Sequence, residues 1–337
     1  MKDCSNDVIK FHNDEVTLAE SQRASMRDRR NANRTRLKSG LTKMDREGPD
    51  EHVIQGSYVM KTMVQHPDNA YDIDDGAAFL PEQLKLQNGR DMTPAEAKSM
   101  VKDALMKDER LPSEPKILKN CVRVEYEGGY HVDIPVYRSK KALFGGTTFE
   151  IAGTEWRKTN PRELSEWFEE RVTATKGSKD DDPQLRRMVR LKKKFTRTNC
   201  GDADAPSGLI LTVLVDEAHR SHQSREDEAF REVLRRVKLR LDANWRVWNP
   251  RDAAEELTKP TDQAKLAKLS QCIGKALDKL SKLDDPSCSR ALARALWDDV
   301  FKTEYFSTLE QKDRSRESTA SQQPDKPVNK RGGGTYA

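Results

Sequence analysis

The chain has 337 residues, of which 35% are hydrophobic, and a mean hydropathy of −0.91. That is enough apolar material to fill one large domain or two modest ones. No stretch is apolar enough to span a bilayer, and Met1 to Asp7 lack the apolar core of a signal peptide, so membrane-embedded and exported classes are excluded and a cytoplasmic protein is expected. The 61 basic residues exceed the 56 acidic ones by only +5, too little to mark the whole surface as a nucleic-acid platform. Cys4, Cys121, Cys200, Cys272 and Cys288 form no Cys-x-x-Cys pair, which predicts reduced thiols and no structural zinc.

In chain order, the segment from Asp7 to Met44 is polar with spaced apolar residues (Ile9, Phe11, Val16, Met26), predicting one long, largely exposed helix that spans both lobes of the molecule. Val53 to Gln55 reads as a short strand ending at Gly56-Ser57, and Ala70 to Leu80 as a second strand. Thr93-Pro94-Ala95-Glu96 is a capping box with proline at the first helical position, opening a helix to about Lys107. Asn120 to Glu127 and Tyr130 to Arg138 alternate apolar and polar residues about Gly128-Gly129, a two-residue hairpin signal. Asp180 to Asp182 precede Pro183 as an acidic loop and a boundary, after which Gln184 to Phe195 is helical. Leu209 to Val215 fits a buried strand or a buried helix equally well. Leu266, Leu269, Ile273, Leu277 and Leu280, then Ala291, Leu292, Ala295, Leu296 and Val300, mark two amphipathic helices that share a core. From about Gln311 the chain is too polar to order itself and ends in Lys330 to Ala337, a flexible tail.

The chemistry concentrates in three aspartates. In a strand Asp72 and Asp74 share a face while Ile73 points away; on the second strand Asp133 lies on the face opposite Val132, Ile134 and Val136. Carboxylates converging from two strands suit a pair of magnesium ions, with manganese as the alternative, and two such ions serve nucleotidyl transfer by activating a sugar hydroxyl and clamping the leaving pyrophosphate. Gly56 lets the backbone approach a triphosphate, and Ser57 offers a hydroxyl and an N–H near a helix start. Arg190 to Lys194 and Ser207-Gly208 are the candidates for balancing charge on pyrophosphate.

With these residues in place the sequence resembles the bacterial cGAS/DncV-like nucleotidyltransferases (CD-NTases), closest to the DncV-like cyclic GMP-AMP synthases of CBASS anti-phage defence. The similarity runs in order through Gly56-Ser57, Asp72-Ile73-Asp74-Asp75-Gly76, His131 to Tyr137, Arg190 to Phe195, Pro206-Ser207-Gly208 through Leu211-Thr212, and Val300 to Phe306. It implies an α+β fold: a polymerase β-like catalytic lobe with a mixed sheet over residues 1–180, a helical lobe closing the nucleotide pocket over 181–310, and a disordered tail over 311–337. It further implies a helix through Leu209 to Val215, Asp72, Asp74 and Asp133 as the metal triad, and Lys193 and Ser207 on the donor triphosphate. A basic residue two before Phe195 selects Lys193 from the triple lysine. The implied activity joins ATP and GTP, or related triphosphates, into a cyclic dinucleotide read by a downstream effector. The tail resembles synthase termini whose last residue, here Ala337, is conjugated to targets by an E1/E2-like partner.

Each element also has a plainer interpretation. Asp-x-Asp alone is usually a solvated strand edge, and three lysines in a row usually a solvated helix face. His219 and His222 lack helical pair spacing and a third ligand, so they read as surface residues, and His131 as a flank of the active strand. The rival functions are an RNA-directed nucleotidyltransferase and a non-catalytic RNA-binding or scaffold protein on the same fold.

Overall fold

The computed structural model of the chain describes residues 1–68, 71–141, 146–175, 182–221 and 225–309. A mixed sheet of seven strands supports one side of the molecule: β1 (Glu51–Gln55), β2 (Tyr71–Phe79), β3 (Lys116–Ile117), β4 (Cys121–Glu125), β5 (Tyr130–Lys141), β6 (Thr147–Ala152) and β7 (Trp156–Thr159). β5 is central: β2 runs parallel along one edge, while β4 and then β6 pair antiparallel along the other. The β2–β5 register sets Asp74 beside Asp133 and Asp72 beside His131.

One sheet face is covered by α2 (Glu20–Lys43) and α4 (Pro94–Leu105). Val122, Val124, Val132, Ile134 and Val136 project onto it and pack with Leu37, Leu41, Ala97, Val101 and Leu105. The alternation in β4 and β5 thus sends aliphatic side chains to this core and leaves Arg123 and Asp133 on the other face. α4 starts as its sequence dictates, with Thr93 Oγ1 accepting from the Glu96 N–H at 3.3 Å and the Glu96 carboxylate accepting from the Thr93 N–H at 2.8 Å.

The second core is helical. It joins α6 (Gln184–Cys200), α7 (Gly208–Ala218), α8 (Glu226–Ala243), α9 (Asp262–Leu280) and α10 (Arg290–Phe301). It also takes in α1 (Ser5–Phe11), α5 (Glu163–Thr175), Met60 and Val64 from earlier in the chain. Phe11 lies 4.6 Å from Phe301 and 4.9 Å from Phe306, centroid to centroid.

The structure departs from the sequence expectations at several points. The helix expected from Asp7 to Met44 is broken: a π-helical turn (His12–Val16) follows α1, and Thr17 to Ala19 are extended before α2 begins. Thr17 is drawn into a backbone bridge with Val64 and gives its hydroxyl proton to the His12 carbonyl at 2.9 Å. The break lets Phe11 and Val16 enter the helical core while Leu18 and Met26 turn to Tyr71 and Ile73; one straight helix could not serve both. The Gly128-Gly129 hairpin closes with three loop residues rather than two, since the Tyr126 N–H donates to the Tyr130 carbonyl at 2.8 Å. α6 continues past Phe195 to Cys200, where Gly201 in the left-handed region (φ +82°) ends it. The undecided run Leu209 to Val215 lies within helix α7. His219, expected at the surface, is buried and bonded to Gln184 at 3.3 Å. His222, Asp180, Asp181, Ala70 and the tail from 310 to Ala337 lie outside the described residues.

Candidate active site

Between the sheet and the helical core lies a cleft of about 530 Å³ whose walls include Gly56, Ser57, Asp72, Asp74, Lys193 and Gly208. β1 ends at Gln55, and the chain turns directly into the short helical turn α3 (Gly56–Val59). This turn requires glycine twice over. Gly56 has φ +73°, and a Cβ there would stand 2.5 Å from Asp74 Oδ2. The Gly-Ser element therefore abuts a carboxylate of the aspartate pair.

Asp74 is the electrostatic centre. Burial, then Asp72, then Asp133 push its carboxyl up to about 7, and the Arg123 charge partly offsets them. Asp133 does not line the cleft. It is 8% exposed, and Arg123 on β4 forks onto it, Nε and Nη2 each donating at 2.7 Å. The three-residue hairpin loop makes this pairing, because the register places Arg123 opposite Asp133. Next in sequence, Asp75 faces the opposite side of β2 and accepts from Arg34 of α2, which ties the aspartate strand to the helix behind it.

The donors suit a hard divalent cation in kind, being carboxylate oxygens, and Asp74 held near 7 marks a place short of positive charge. Among the described residues, however, no group of three His, Cys, Asp or Glu side chains is arranged to hold a metal ion. Asp133 is instead held by the Arg123 fork, a cation from within the protein.

Opposite the aspartates, α6 presents a cationic stripe. Arg186 donates to the Met60 carbonyl at 3.1 Å, Lys193 to the Thr62 carbonyl and hydroxyl at 3.1 Å each, and Arg197 to the Gln65 carbonyl at 2.9 Å. These bonds hold the segment that follows α3 against the helical core. The triple lysine divides three ways: Lys193 reaches the cleft, Lys192 is fully buried, and Lys194 is partly buried away from the cleft lining. Burial lowers Lys193 to about 8, with Asp72 acting in the opposite direction. Arg190 is turned away, bonded to His12 and Thr17. Ser207 caps α7, its hydroxyl accepting from the Ile210 N–H at 3.3 Å, between the cleft-lining residues Pro206 and Gly208.

Sequence reasoning passed over Arg123, Arg197 and Thr62. Alternation puts Arg123 on the face of β4 opposite Val122 and Val124, but which residue of β5 it meets depends on the hairpin register, which the Gly-Gly signal reads one residue off. Arg186, Lys193 and Arg197, at helical spacings of seven and four, also form a readable stripe.

Residues 50–137 match the family model for the nucleotidyltransferase domain of cyclic GMP-AMP synthase DncV-like proteins. Among solved structures, the chain is similar to the Bradyrhizobium diazoefficiens CD-NTase CdnG in complex with GTP, at 16% identity and a TM-score of 0.67, covering 95% of this chain and 99% of that one. It is similar to E. coli MS115-1 CdnC with ATP, at 14% identity and a TM-score of 0.65, over 89% and 98% of the two chains. A third is Vibrio cholerae DncV cyclic AMP-GMP synthase in complex with the linear intermediate 5′ pppA(3′,5′)pG, at 15% identity and a TM-score of 0.66, over 85% and 91%. The chain thus has the fold of the bacterial CD-NTases and carries in residues 50–137 a DncV-like nucleotidyltransferase domain.

Proposed function

We propose that the protein is a cyclic oligonucleotide synthase that joins ATP and GTP into a cyclic dinucleotide, cyclic GMP-AMP, releasing one pyrophosphate for each bond formed. The observation that carries this reading is the meeting of Gly56-Ser57, the Asp72/Asp74 pair and Lys193 around one cleft between sheet and helices. At each step a sugar hydroxyl loses its proton and bonds to an α-phosphorus as the bond to pyrophosphate breaks; the second step closes the ring. Gly56 and Ser57 border the donor phosphates, and Lys193 sets positive charge against the leaving group. Ser207, at the start of α7, would stand beside the same phosphates. Asp72 and Asp74 would hold magnesium or manganese, and Asp133 would join them on giving up its Arg123 fork. Such ions supply Lewis-acid activation of the attacking hydroxyl and charge compensation on the phosphates.

The test is to incubate the purified protein with labelled ATP and GTP and magnesium. A small phosphatase-resistant product supports the synthase, an extended RNA supports an RNA-directed nucleotidyltransferase, and no turnover supports a scaffold. We further infer a role in anti-phage signalling, through an effector that reads the product. In the same reading, the Ala337 carboxylate is adenylated and conjugated by an E1/E2-like partner. Deleting residues 334–337 then abolishes conjugates detected by mass spectrometry in cells carrying that partner, with basal synthesis unchanged.

A further inference from the structure

Between α3 and β2 the chain passes through Thr62, a fully buried residue in the cleft wall. Its polar groups meet two partners. The Thr62 N–H donates to the Ser57 carbonyl at 3.0 Å, while its carbonyl and hydroxyl oxygens each accept from the Lys193 ammonium at 3.1 Å. One residue thus bonds both the Gly-Ser element and the cleft-facing lysine of α6. Lys61, just before it, holds left-handed backbone at φ +56°, which is uncommon for a residue other than glycine. Such a turn persists only where its surroundings fix it, and the Thr62 bonds, with Arg186 on the Met60 carbonyl, supply that hold. Gly208, the first residue of α7, borders the same ammonium: a Cβ there would stand 3.3 Å from Lys193 Cε and Nζ.

We propose that Thr62 is a positioning residue for the nucleotidyl transfer described above, fixing the Lys193 ammonium relative to Gly56-Ser57 so that both meet one triphosphate. This role rests on the reading of Ser57 and Lys193 as groups at the donor phosphates. A lysine ammonium carries three N–H donors. Thr62 takes two of them, which leaves one for a phosphate oxygen. Burial works against the Lys193 charge, and two oxygen acceptors favour the charged form that a leaving pyrophosphate needs. An unheld lysine side chain samples many rotamers. Held by two oxygens of a buried residue, it already stands where charge develops, so little reorganisation is left for the transition state. Thr62 touches no phosphate in this role and acts through Lys193, so losing its hydroxyl should fall on kcat rather than on KM.

The test measures steady-state rates of the full-length protein with labelled ATP and GTP and magnesium, beside Thr62→Val, Thr62→Ser, Lys193→Ala and the double variant Thr62→Val/Lys193→Ala. Valine keeps the shape of threonine without the hydroxyl. Thr62→Val should lower kcat about tenfold and change KM by less than about threefold. Thr62→Ser, which keeps the hydroxyl, should stay within about threefold of the unmutated protein. In the Lys193→Ala background Thr62→Val should change kcat by less than about twofold, because the ammonium it positions is gone. Thr62→Ala removes the same hydroxyl and takes the place of Thr62→Val if that variant does not fold. Equal losses in the two backgrounds, Thr62→Ser as slow as Thr62→Val, or no loss at all would overturn the positioning role, while product from the unmutated protein leaves the synthase reading standing. No product from the unmutated protein overturns that reading, and the role of Thr62 with it.

Discussion

Gly56 shows how much one residue carries. Alanine there would have to adopt φ +73° and place its Cβ 2.5 Å from an Asp74 oxygen. Gly56→Ala should therefore cost roughly 1–3 kcal/mol of stability and lower nucleotide turnover by more than about tenfold through displacement of the Asp74 carboxylate. Thermal unfolding and steady-state rates check the two parts. Arg123 is the complementary case, a built-in cation for Asp133. Arg123→Gln should destabilise the metal-free protein by about 1–3 kcal/mol, the cost of stranding a largely buried carboxylate. Added manganese should then raise its melting temperature more than that of the unmutated protein. Equal cation responses would show that Arg123 and the ion do not share Asp133. The aspartates were legible from motif and alternation, whereas Arg123 was not, because a two-residue hairpin loop was assumed and one residue of register changes which side chain faces Asp133.

At the scale of elements, α6 combines a cleft-facing stripe with a buried lysine on its other side. Lys192 is fully buried and lowered to about 7, primarily by desolvation. A lysine whose folded pKa lies below its unfolded value contributes most favourably above the unfolded pKa, and that contribution is lost as pH falls from about 10.5 to about 7, where only the unfolded chain takes up the proton. Lys192→Met should thus raise stability at pH 7 by an amount on the order of 4 kcal/mol, and the gain should shrink as pH rises toward 10.5. Denaturant unfolding at both pH values measures it, and a gain independent of pH would contradict the assignment. The triple lysine in sequence looks like one solvated run; helical geometry splits it between core and cleft. The N-terminal helix failed as a reading for a related reason. Its apolar residues serve two different cores, and periodicity alone does not mark the three extended residues between them.

At the scale of the molecule, the sheet and helical cores meet at the cleft, which is lined by Asp72 and Asp74 from the sheet and by Lys193 and Arg197 from α6. The alternating strands, the capping box and the amphipathic helices α9 and α10 were readable because local pattern and global packing agree there. The pairing of β2 with β5, and the grip of α6 on residues 60–65, are long-range and leave no local trace. Nucleotidyl transfer in this cleft would depend on Asp72 and Asp74 together. The most direct measurement compares the unmutated protein with Asp72→Asn/Asp74→Asn, using labelled ATP and GTP with magnesium, after circular dichroism has shown both to be folded. The first should give a phosphatase-resistant product and the second a rate lower by at least about a thousandfold; turnover by the double variant within about tenfold of the unmutated protein would mean that the aspartate pair is not the reacting centre.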